Sequence, residues 1–153
     1  MPTSFLWDGA GVYSASRTTW LSTQLNALAN SAANTLCAAG SAFQNTAGLL
    51  YADVEFLAGG TTTPVAGAFL ELWLLRSLDG GTSYEDGSAT VAPGRPCDIT
   101  IMVRAGTTIT PRAGASGLIL PPGFYKPIAR NQTGVTLAAT GNIISFAAYT
   151  EEY

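Results

Sequence analysis

The sequence predicts a mainly β protein: an antiparallel β-sandwich, jelly-roll-like in type, with one short α-helix near the N-terminus. Three observations lead there. From Thr35 onward, short apolar runs recur between Gly, Pro, Asn and Asp, at a spacing of roughly ten residues. No helical pattern separates these runs, which removes parallel βαβ units. No internal repeat is visible, which disfavours a propeller or solenoid. An immunoglobulin-like sandwich is the second choice.

The length, 153 residues, fits one domain. Residues 1–16 have no clear period, and Phe5, Leu6, Trp7 and Tyr13 sit there among Gly and Ser. They read as an extended arm, docked either on the chain's own core or on a partner. Residues 17–153 read as the single sandwich domain. It opens with a helix over about 17–30, where Leu21, Leu25, Leu28 and Ala32 share one face and Ser16, Thr18 or Thr19 can cap the start.

The strands follow. In Tyr51–Leu57, Ala52, Val54 and Phe56 alternate with Asp53 and Glu55, so the apolar set points inward. Ala68–Leu75 is apolar on both faces except for Glu71, which predicts a central strand or one with its outer face covered. In Asp98–Arg104 the inward set is Ile99, Ile101 and Val103. Leu118–Leu120, Phe124–Arg130 and Ile143–Thr150 complete the set, with Thr107–Ile109 and Val135–Leu137 as weaker candidates. Pro121-Pro122-Gly123 predicts a rigid turn. Pro127 lacks a ladder donor and so predicts an edge strand or a bulge.

Composition narrows the function. Only 11% of residues are charged, against about 25% in an average soluble domain. A surface covered by Ser, Thr, Asn, Gly and Ala suits a protein packed against partners, or one that works outside cells. The net charge is −3 and the seven basic residues are scattered, so nucleic acid is not an expected partner. No apolar run approaches the ~20 residues that span a bilayer, and no membrane partner is expected. The start, MPTSFLWDGAGVYS, has no signal-peptide pattern, so use without Sec export is expected.

Histidine is absent, which removes the commonest general base and metal ligand. Cys37 and Cys97 stand in no metal spacing; they read as two buried thiols, with a disulfide left open. Asp79 to Gly87 is acidic and Gly-rich, but its alternate positions do not supply calcium ligands. Ser77 to Tyr84 resembles the Asp-box turn of sialidase-like propellers, in a single copy, and reads as a polar loop. Asp53, Glu55, Glu71, Glu85 and Asp86 are the carboxylates available for acid–base work. Glu71 is expected to face a partner or to pair with Arg76 or Arg104. Asn131-Gln132-Thr133 matches a glycosylation sequon and reads as a turn leading to Gly134. No phosphate or dinucleotide fingerprint is present, and neither cofactor, metal nor catalytic residue is expected. Trp73 reads as core. The residues expected at a partner interface are Phe5, Leu6, Trp7, Tyr13, Trp20, Phe124 and Tyr125.

Several stretches carry a resemblance. They are Trp20 to Asn30 (WLSTQLNALAN), Tyr51 to Phe56 (YADVEF) and Ala68 to Gly80 (AFLELWLLRSLDG), followed by Leu120 to Lys126 (LPPGFYK) and Arg130 to Val135 (RNQTGV). In this order they resemble small tailed-bacteriophage virion proteins of the head decoration or cement type, over about residues 18–150. The resemblance implies a β-sandwich on the outside of an icosahedral head, made in the host cytoplasm. It implies the major capsid protein as partner, at symmetry axes or capsomer junctions, and no enzymatic activity. Self-association as a dimer or trimer is expected, since closed symmetry is common. The alternatives are a carbohydrate- or receptor-binding module of a phage tail and a small carboxylate hydrolase.

Overall fold

The computed structural model describes residues 4–7, 17–31, 37–46, 49–60, 63–106 and 112–152. The tyrosine at 13 and the weak strand at 107–109 lie outside them. The described residues form ten strands: β1 (Ser4–Trp7), β2 (Thr18–Leu21), β3 (Cys37–Ala39), β4 (Phe43–Asn45), β5 (Tyr51–Leu57), β6 (Phe69–Ser77), β7 (Ile99–Met102), β8 (Arg112–Ile119), β9 (Gly123–Gln132) and β10 (Ile143–Glu152). They form two antiparallel sheets. The first runs β1-β10-β5-β8, with β2 beside β1 on the same edge of β10. The second runs β3-β9-β6-β7, with β4 beside β3 on the same edge of β9.

The pairing is nested. β6 pairs with β7, β5 with β8, β3 and β4 with β9, and β1 and β2 with β10. Successive pairs fall alternately in the second and the first sheet. Ala52, Val54 and Phe56 of β5, Leu70, Leu72 and Leu74 of β6, Ile101 of β7, and Ile144 and Phe146 of β10 belong to one buried cluster, so the two sheets share a core. The alternation read in β5 and Asp98–Arg104 points as expected, with Ile101 and Val103 buried and Ile99 packed against them.

The helix expected over about 17–30 does not form. Its place is taken by β2 and a single 3-10 turn, Thr23–Leu25. Thr18, Thr19 and Trp20 are β-branched or aromatic and favour a strand. Asn26 is extended and Ala27 has φ +54, which stops any helix there. The backbone is claimed by distant loops: Ala27 N donates to Ala138 O, and Leu28 O accepts from Leu137 N and Asn131 Nδ2. Leu21 and Leu25 are fully buried, so their spacing reported burial correctly but not the period.

β8 begins six residues before Leu118, and Val135–Leu137 is not a strand. β9 is interior, not an edge, which corrects the reading of Pro127. The proline is tolerated because the neighbouring edge is broken there. Pro127 O accepts from Gly40 N, so the side of Pro127 lacking an N–H faces the gap between β3 and β4. Gly40 is needed at that gap, since a Cβ would stand 2.4 Å from Trp20 O and 2.8 Å from Pro127 Cγ.

Candidate functional site

β6 is central, as its two apolar faces predicted, and its outer face is covered by the loop at 78–98. Trp73, Leu75, Ile128 and Ala92 form a second buried cluster under that loop. Arg95 holds the loop down: its guanidinium donates to Leu74 O, Glu85 and both Asp98 oxygens, while its own carbonyl accepts from Trp73 Nε1. Asp98 also accepts from Leu74 N at 2.7 Å. Trp73 is therefore core, as expected.

Glu71 pairs with Arg130, not with Arg76 or Arg104. The two stand opposite each other in the β6–β9 register, and the sequence separation of 59 residues hid the partner. On the outer face of the first sheet, Glu55 binds Arg17 at 2.8 Å and also Arg112. The Arg112 hydrogen bond holds the Glu55 carboxyl below its ordinary range, opposed by desolvation and helped by the charge of Arg17. Asp53 accepts from Gly117 N. Glu55, Glu71, Glu85 and Asp98 are thus each tied to an arginine. Glu55 so held is a poor proton acceptor, because its ionised form is the stabilised one.

Asp79 is a turn organiser. It accepts from the Ser77 hydroxyl, the backbone N–H of Thr82 and Ser83, and the Ser83 hydroxyl. These bonds hold its carboxyl far below the ordinary range, the Ser77 hydroxyl contributing most. They occupy the oxygens that a cation would need. Asn131 of the sequon is fully buried; it donates to Leu28 O and Val135 O and accepts from Thr133 N and Oγ1. Asn142 plays the same part nearby, bonding Asn26, Ala138 O and Gly59 N. Sequence reading missed both as structural hubs. Only their position beside turn glycines hinted at it.

The expected interface residues separate into three groups. Trp20 and Tyr125 are 5% exposed and belong to the core, which corrects their reading as surface contacts. Trp20 stacks on Phe146 at 4.2 Å and on Phe43 at 5.3 Å, and Phe43 stacks on Tyr125 at 5.7 Å. This aromatic chain joins the two sheets. Aromatics at sheet ends bury readily because each covers a large apolar area. Burial raises the Tyr125 pKa, and its hydroxyl donates to Pro121 O at 2.6 Å. Phe124 is half-buried, with Gly81 against its ring. Phe5, Leu6 and Trp7 lie in β1, paired with Glu151, Thr150 and Tyr149 of the chain's own β10. Cys97 carries a free thiol 3.3 Å from Thr100 Oγ1 and is half-buried, not buried as expected.

Each sheet edge is short, broken or bent. β7 has four residues, and the edges opposite β7 and β8 are split into β3/β4 and β1/β2. β8 carries a bulge, where Ser116 and Gly117 together oppose Asp53, with Gly117 at φ +75. Such devices discourage strand addition. The chain matches no protein-family model, no curated protein and no solved structure.

Proposed function

We propose that this chain is a tailed-bacteriophage virion protein of the head decoration type. In this reading it is a jelly-roll sandwich that binds the outer surface of the head, self-associates as a dimer or trimer, and stabilises contacts between major capsid protein subunits. The observation that carries the reading is the strand order. Four nested antiparallel pairs, laid alternately into two sheets as (β1/β2)-β10-β5-β8 and (β3/β4)-β9-β6-β7, are what a hairpin rolled into two Greek keys produces. That architecture recurs in viral capsid and lectin domains.

Two further features support a binding role without catalysis. Glu55 and Glu71, two of the carboxylates available for acid–base work, are both held by arginines. The low charge content suits a surface covered by neighbours. A sugar-binding platform is favoured less, because Trp20 and Trp73 are both buried.

The test uses heads of the encoding phage that lack this protein. Adding the purified chain should raise the temperature at which those heads release DNA. An unchanged release temperature at saturating protein would sink the stabilising role.

A further inference from the structure

The two ends of the molecule differ. At the end where β6 begins, the loops are stitched by Asn131 and Asn142, whose polar atoms are bonded to neighbouring segments. At the end where β6 finishes, large apolar side chains stand in solvent on three separate loops or strand ends. Leu78 is 92% exposed, Ile119 68% and Leu50 42%. Ile119 and Leu50 are neighbours, since Leu120 N donates to Leu50 O and Ile119 pairs with Tyr51. Val65 and Met102 are exposed near the opposite end as well, so it is the adjacency of Leu50 and Ile119 beside a cleft that marks a contact surface.

Beside Ile119 lies a cleft of about 330 Å³. Its walls include Leu74, Leu118 and Tyr125 from the core, with Ile119 and Arg76 at the margin. Arg76 stands opposite Tyr125 in the β6–β9 register, so the two share the face turned toward the other sheet. Glu85 and Asp98 also line the cleft, so its two arginines face two carboxylates. Arg95 also borders the cleft, but Glu85 and Asp98 neutralise it. Among the described residues the Arg76 guanidinium forms no ion pair, although its backbone N–H donates to Glu85. Leu78 is two residues further on, at the head of the turn organised by Ser77 and Asp79, so it is presented with little freedom to lose on binding.

We infer that this end is the docking face, and that it receives a partner-protein segment in which an apolar side chain lies beside a carboxylate. The apolar group enters the cleft against Leu118 and Ile119, and the carboxylate meets Arg76. The inference rests on the decoration reading and names the surface that such a protein turns to the shell.

The probe is the purified head lacking this protein, titrated with the wild-type chain, Arg76→Glu, the double variant Leu78→Ser/Ile119→Ser, and Val65→Ser as a control from the opposite end. All substitutions are at exposed side chains, and equal melting temperatures verify the fold. Arg76→Glu and the double variant should each bind at least tenfold more weakly, Arg76→Glu with a flatter salt dependence, while Val65→Ser binds like wild type. Wild-type binding by Arg76→Glu and the double variant would overturn this inference and leave the decoration reading standing. No binding by the wild-type chain would overturn the decoration reading and this one with it.

Discussion

Arg130 on β9 faces Glu71 on β6 across the sheet, and its guanidinium also lies 5.4 Å from the ring centroid of Trp73. One arginine thus joins the two longest-paired strands of the second sheet to the cluster beneath the loop at 78–98. Both charged side chains are mostly buried, at 11% and 16% exposure. Removing one charge leaves the other poorly solvated. Glu71→Gln is expected to destabilise the fold by about 2 kcal/mol, read from chemical denaturation. A change near zero would mean that water already screens the pair.

Asn131 offers a sharper stability test. Its side chain closes four hydrogen bonds in a fully buried site. Asn131→Ala strands Thr133 N and takes one of two partners from each of Leu28 O and Val135 O, and a loss of about 3 kcal/mol is expected. Exposure of the loops at 28–31 and 133–137 should follow, read as faster amide exchange there. Unchanged exchange would show that those loops hold without it.

Trp20 separates packing from hydrogen bonding. Its Nε1 is buried and finds no acceptor among the described residues, while its ring stacks on Phe146 and Phe43. Trp20→Phe keeps an aromatic face and removes a polar group without a partner, so it should cost less than about 1.5 kcal/mol. Trp20→Ala opens a cavity and should cost about 4 kcal/mol. Equal losses in the two variants would contradict the stacking account.

The Glu55 cluster sets an acid limit. Its carboxyl titrates lower in the folded chain than at the ordinary 4.5 of the unfolded one. The stabilisation is therefore complete above that value and is lost as pH falls through the lower folded value. Melting temperature should fall more steeply below about pH 4.5 in the wild type than in Glu55→Gln. Parallel curves would place the acid sensitivity elsewhere.

The strands were legible where burial follows a period of two. Tyr51–Leu57 coincides with β5, and the covered outer face of β6 was visible in an apolar run broken only by Glu71. The segment at 17–30 was not legible, because Leu21, Leu25 and Leu28 satisfy a helical spacing while burying themselves through a strand, a turn and a loop. Distant partners decided it, and a local pattern cannot contain them. Arg130 for Glu71 and the gap facing Pro127 were hidden for the same reason. The aromatics of the candidate interface were legible as aromatics but not as core or surface, since Trp20 and Tyr125 meet only through Phe43 on another strand. Arg76 and Ile119 drew no notice as binding groups, being 43 residues apart in the chain and joined only by the cleft.

The most direct measurement is quantitative mass spectrometry of purified particles of the encoding phage, giving copies of this chain per major capsid protein. The decoration account expects hundreds of copies per particle, removable without loss of the tail. A few to a few dozen copies would move the chain to the tail or a single vertex, and absence from the particle would contradict the account outright.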